Sequence, residues 1–151
     1  MNTKLVAIRV QRRSLSIAIF AGTHLEHAEV YNLSSNNRKA EESTIGYGRR
    51  LINDFGISAA SMEWARNGDL RKTILTDMLV AAFRDSGIQV FQADKQELFE
   101  AFGMPPLGTR KELGTVVITI WPSLNTPGFS SSVFDAAALG LFIQTERLLH
   151  H

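Results

Sequence analysis

Three β-rich segments crowd the chain before Ser34 with almost nothing between them, and this crowding constrains the fold more than any other feature. Lys4 to Val10 is apolar. The polar break Gln11-Arg12-Arg13 separates it from Ser14 to Phe20, where Leu15, Ile17 and Ile19 alternate with Ser14, Ser16 and Ala18. A period of two marks a half-buried strand. Ala21-Gly22-Thr23 reads as a turn, and His24 to Leu33 as a third strand. Connections this short leave no room for a crossover, so the three strands form an antiparallel meander.

Beyond Ser34 the pattern changes. A polar loop, Ser34 to Lys39, precedes a helix over about Glu41 to Phe55, whose Ile45, Gly48, Leu51, Ile52 and Phe55 share a face. Glu41 and Glu42 suit the positive end of its dipole, and Gly56 ends it. Ile57 to Glu63 reads as a strand. Leu70, Ile74, Met78, Ala81 and Ala82 mark a second helix that stops near Ser86-Gly87, and Ile88 to Ala93 is a fifth strand. Strands that alternate with helices pair in parallel through right-handed crossovers. Lys95 to Phe102 fits a short helix, and Gly103 to Gly108 a loop. Thr115 to Trp121 is β-branched, which favours a strand. Yet Leu113, Val116, Val117, Ile120 and Trp121 fit one face of a helix, and we prefer that reading, with Pro122 as its stop. Ser132 is placed to cap a last helix reaching about Leu149.

A chain of 151 residues suits one domain spanning 1–151. Sixteen basic against fifteen acidic residues give a formal charge of +1, so a nucleic-acid partner would need a local basic patch. The absence of cysteine excludes disulfides, thiolate zinc sites and cysteine nucleophiles. No apolar run nears the ~18 residues of a membrane span, and the start lacks a signal-peptide pattern, so a cytoplasmic protein away from membranes is expected. His24 and His27 are three apart on a strand, which directs them to opposite faces and suggests surface residues. Gly103 to Gly108 lacks the Gly-Lys-Ser/Thr ending of a phosphate-binding loop.

The order of elements, with three local motifs, resembles the ribonuclease H-like superfamily and within it the RuvC-type Holliday-junction resolvases. In that family the first strand ends in an aspartate, the fourth in a glutamate, and the last helix begins in an Asp-Ala-rich motif. Here Leu51 to Ile57 leads through Ser58 to Met62 into Glu63, and Phe134-Asp135-Ala136-Ala137-Ala138-Leu139 is similar to the helix motif. Lys95 and Arg110-Lys111-Glu112 fall where the family has basic and Lys-Glu residues. The resemblance covers essentially the whole chain. It implies an α/β fold: a mixed five-stranded sheet of order 3-2-1-4-5 with helices on both faces. Two departures stand out. The first-strand aspartate falls at Arg9, and the paired acids of the last helix are reduced to Asp135, with Ala138 or Ser132 in place of the other.

These departures matter because phosphodiester hydrolysis on this fold uses three or four carboxylates to hold two magnesium or manganese ions roughly 3.5–4 Å apart. Glu63 and Asp135 alone would hold one metal weakly, and an arginine, which keeps its charge, would repel it. The expectation is a degenerate module that binds nucleic acid or a protein partner without cutting, with no metal or other cofactor, in which Arg9 converges on Glu63 and Asp135. In an active alternative, Glu29 or Glu26 would replace the missing acid and magnesium or manganese would be required. A third reading keeps the scaffold for structure or assembly alone. Trp64 either stacks on a base or closes the end of the sheet. With Arg66, Lys95, Arg110 and Lys111 it makes the candidate interface for branched or single-stranded DNA. The family's dimers make a homodimer a further expectation.

Overall fold

The structure, a computed structural model, describes residues 4–22, 24–64, 69–93, 110–125 and 131–144, the side chains of 110–114 and 131–132 excepted. Strands β1 (Lys4–Val10), β2 (Ser14–Ala21) and β3 (His24–Asn32) form the expected antiparallel meander. Strands β4 (Ala59–Glu63) and β5 (Gln89–Ala93) add in parallel, giving one sheet of order β3-β2-β1-β4-β5. β1 is thus central and its interior residues are buried on both faces, as expected for a strand covered on each side.

Alternation along the strands sorts two cores. Val6, Ile8, Leu15, Ile17, Ile19, Ala60 and Met62 face helices α1 (Asn37–Phe55) and α2 (Leu70–Asp85). Leu5, Ala7, Ala18, Phe20, Ala59 and Phe91 face α3 (Arg110–Ile120) and α4 (Ser131–Ile143). The 115–120 segment is therefore helical. Val117 is fully buried, and Trp121, just past the helix, packs its ring 5.2 Å from that of Phe20. Burial of one face overrides the strand propensity of the β-branched run. Gly140 lets α4 lie close to the sheet: a Cβ there would overlap the Phe20 ring and sit 3.2 Å from the Ala7 Cβ.

Two expectations need correction. Helix α1 starts a turn before Glu41, because the Asn36 side chain caps it by accepting from the Lys39 amide at 3.0 Å. Glu41 and Glu42 therefore lie beyond the first turn, which holds no acidic residue. Its end is as expected, with Gly56 in the left-handed region at φ 65°. The parity argument for the histidines also fails. The β2–β3 register shifts between Ile19 and Phe20, so His24 faces Ala21 and His27 faces Ile19. Ala21 and Ile19 lie two apart on one face, and the histidines are brought to that same face. The helix expected over Lys95 to Phe102 and the end of the last helix beyond 144 lie outside the described residues. Among the described residues no helix is long and apolar enough to cross a membrane.

Candidate functional site

The parallel strands β1 and β4 end side by side, with Ile8 opposite Met62, so the next residues, Arg9 and Glu63, are neighbours on the face covered by α4. Helix α4 starts over these ends. Asp135 lies in its second turn, beyond the reach of a first-turn dipole contact, and is turned into the protein. Arg9 Nη1 donates to Glu63 Oε1 at 2.9 Å and stands 3.1 Å from Asp135 Oδ2. The side chains are 7%, 23% and 2% exposed respectively. Ser16, opposite Arg9 on β2, and Ser61, two residues before Glu63, are fully buried polar neighbours of the same face.

One positive and two negative charges are thus packed together, with a single guanidinium nitrogen in contact with both carboxylates. This geometry bears directly on the metal pair that the resemblance implies. A cation bridging Glu63 and Asp135 would have to take the place of that nitrogen and stand against a charge that does not titrate away. The residues present do not fit a two-metal centre. Ala138, one of the two positions weighed for the second acid of the last helix, is fully buried in the apolar core. Ser132, the other, has a side chain outside the description.

The acids of the active alternative are elsewhere. Glu29 lies opposite Ile17, on the α1 side of the sheet, where it accepts a hydrogen bond from Tyr47 Oη. Glu26 pairs with Lys4 Nζ at 3.2 Å, at the opposite end of β1 from Arg9. Neither can complete a cluster with Glu63 and Asp135. Among the described residues no three His, Asp or Glu side chains are grouped to hold a metal ion.

The remaining candidates are distributed as follows. Trp64 is 48% exposed, and its backbone N–H donates to the Ala93 carbonyl at 3.1 Å, so the ring stands at the rim of the sheet end rather than closing it. Arg110 and Lys111 open α3, with side chains outside the description. Arg66 and Lys95 lie outside the described residues.

Sequence reasoning missed two arrangements. On the α1 side, Tyr47 stacks on Tyr31 at 4.2 Å, and the Arg50 guanidinium lies 5.5 and 5.4 Å from the Tyr31 and Tyr47 ring centres. Burial, then the Glu29 bond, push the Tyr47 hydroxyl well above its ordinary pKa. No local motif announces this cluster, because its members come from a strand and a helix. The second arrangement is a groove between the β1–β2 turn and the starts of α1 and α2. Arg71 ties the groove together, donating from Nη1 to the Ser35 carbonyl at 3.1 Å and to Asn37 Oδ1 at 2.9 Å. Asp69 beside it caps α2; its side chain accepts from the Lys72 amide at 3.1 Å.

No protein-family model and no curated protein sequence matches the chain. Solved structures do. RuvC of Thermus thermophilus superposes with a TM-score of 0.81 over 98% of this chain and 97% of its own, at 16% identity. The T. thermophilus RuvC in complex with a Holliday junction substrate gives 0.78 over 97% and 96%, at 17% identity. The yeast mitochondrial Holliday junction resolvase Ydc2 gives 0.68 over 99% of this chain and 82% of its own, at 15% identity. At such identities the likeness speaks for architecture: this chain has the ribonuclease H-like fold of the RuvC-type Holliday junction resolvases.

Proposed function

We propose that the chain, as one unit over 1–151, is a nucleic-acid-binding module on the resolvase fold whose catalytic centre is silent. The carrying observation is the Arg9 nitrogen held between Glu63 and Asp135. Its fixed charge takes over the role of counterion to the two acids, so the centre is complete without magnesium or manganese. The charge left there is one positive against two negative, which does not attract a phosphodiester. Binding is then the work of the rim. Trp64 offers an exposed ring for a base, and Arg66, Lys95, Arg110 and Lys111 are the basic residues assigned to phosphates. The capture of the T. thermophilus RuvC and of the fowlpox virus resolvase with Holliday junctions supports branched DNA as a ligand. A homodimer and a cytoplasmic location belong to the same reading.

The test pairs binding with cleavage. The protein should bind four-way-junction or single-stranded DNA weakly at low salt, and affinity should fall as salt rises. Trp64→Ala should weaken it by roughly 1–3 kcal/mol if a base stacks on the ring. No cleavage should occur with magnesium or manganese. Absence of binding to any nucleic acid at low salt would leave only the scaffold reading, and metal-dependent cleavage by the unsubstituted protein would restore the nuclease reading.

A further inference from the structure

The nucleic-acid reading assigns Trp64 and four basic residues and leaves the opposite face of the sheet end unassigned, where the charge distribution points away from the Arg9 centre. On the α1–α2 side of the β1–β2 turn lies a cavity of about 540 Å³ lined by Gln11, Arg12, Arg13, Ser14, Ser35 and Arg71. It holds three arginines and no acid. It shares Arg12 and Arg71 with a neighbouring groove of about 710 Å³, whose lining adds two acids, Asp69 and Glu41, and the apolar Leu70 and Ile74. The arginines differ in state. Arg71 is held by the Ser34 and Ser35 carbonyls and Asn37, all neutral, so it is fixed in place with its charge uncompensated by them. Arg12 is 71% exposed on its side chain and makes one long ion pair, Nε to Asp69 Oδ2 at 3.5 Å. Arg13 is exposed at the tip of the turn.

Resting on that reading, we infer that this groove holds the backbone of a single nucleic-acid strand. Phosphates would lie on Arg13 and Arg12, with the tethered Arg71 adding its charge behind them, and the strand would continue over Leu70 and Ile74. The layout favours a single strand over a duplex. Guanidinium groups suit phosphate oxygens through paired donors. Exposed aliphatic side chains at the far end suit base faces, which a duplex keeps stacked inside. The path also keeps phosphates off the two carboxylates beside Arg9, since it runs on the opposite face of the sheet. An extended acidic peptide would meet the same arginines but would gain nothing from Leu70 and Ile74.

The test is fluorescence anisotropy of an end-labelled oligo-dT against the full chain over a salt series. Arg12 and Arg13 are exposed, so R12Q/R13Q should fold normally. It should lose roughly tenfold in affinity at moderate salt, and its log–log salt slope should shrink by about 1.4, the value for two single-strand phosphate contacts. A second variant separates binding from structure. Asp69→Asn keeps a good helix cap and releases Arg12 from its ion-pair partner while Glu41 stays in place, so affinity should rise about three- to tenfold, an increase that no structural role would give. Unchanged affinity and slope in R12Q/R13Q, with binding otherwise intact, would overturn the groove and leave the nucleic-acid reading standing. Equal binding of poly-aspartate would overturn the strand assignment. Absence of binding by the unsubstituted chain would overturn the broader reading as well.

Discussion

Replacing Arg9 by Met tests whether the guanidinium holds the sheet end together. Methionine roughly keeps the length of the side chain and removes its charge. What remains is Asp135, 2% exposed on its side chain, and Glu63, 23% exposed, each having lost the same nitrogen at about 3 Å. Because both oxygens lie that close to one atom, they are about 6 Å apart at most. At an effective dielectric constant near 20 their repulsion is then about 3 kcal/mol. Removing one partner of a buried ion pair costs about 3–5 kcal/mol in general, most of it the desolvated charge left behind. We expect R9M to lose about 3–5 kcal/mol. With a urea m-value of about 2 kcal/mol per molar, the unfolding midpoint falls by about 2 M. Urea titrations of R9M, D135N, R9M/D135N and E63Q check the assignment. The double variant R9M/D135N should recover much of the loss, because the stranded buried charge is gone. E63Q should cost the least, because Glu63 is the most exposed of the three. A loss below about 1 kcal/mol in R9M, or no recovery in the double variant, would refute the reasoning.

Two further outcomes are independent of the site. The chain has two tyrosines, and Tyr47 is raised above its ordinary pKa by burial and by its bond to Glu29. Its stabilising contribution is present below about pH 10, where the unfolded tyrosine ionises, and is lost as pH rises above that value. Ultraviolet titration should therefore show Tyr47 ionising only with unfolding, and Y47F should weaken the alkaline dependence of the melting temperature. Gly140→Ala should destabilise by about 1–3 kcal/mol through overpacking against Phe20 and Ala7, read by thermal melts.

Much of the fold was legible because period and spacing are local signals. The period-two alternation of Leu15, Ile17 and Ile19 marked β2 as a strand, and short breaks at Gln11–Arg13 and Ala21–Thr23 forced the meander. The half-buried reading of β2 failed, because the small Ser16 and Ala18 are buried under the other helix layer. The helix boundary was missed at Asn36, where a side-chain cap outweighs the placement of Glu41 and Glu42. The His24–His27 parity failed because one extra residue in β3 reverses the alternation, and nothing in the composition of that strand marks the bulge. At the candidate site, the positions of Arg9, Glu63 and Asp135 followed from the resemblance to the RuvC-type resolvases, matched at strand ends and a helix motif. The arginine groove was not legible, because it joins a turn to two helix starts distant in sequence. Arg71, which organises it, looks in the sequence like an ordinary surface cation.

The Arg9 centre makes a last prediction about metals. A site that binds an ion in the folded state alone stabilises the protein by RT ln(1 + [L]/Kd), about 2.7 kcal/mol at a hundred times Kd. A two-metal centre of ordinary affinity would therefore show in a melt with millimolar magnesium or manganese. Here the bridging place carries a permanent cation hydrogen-bonded to Glu63 and ion-paired with Asp135. The unsubstituted chain should melt at the same temperature with chelator, magnesium or manganese, and calorimetric titration should give no tight site. Arg9→Asp reverses the balance. Three carboxylates would then converge without the Arg9 counterion, so the variant should be markedly destabilised in chelator and recover stability as manganese is added. That metal-dependent recovery reads the geometry without requiring cleavage. Equal melting of R9D with and without manganese would show that the strand ends do not place the three side chains where a shared cation could join them.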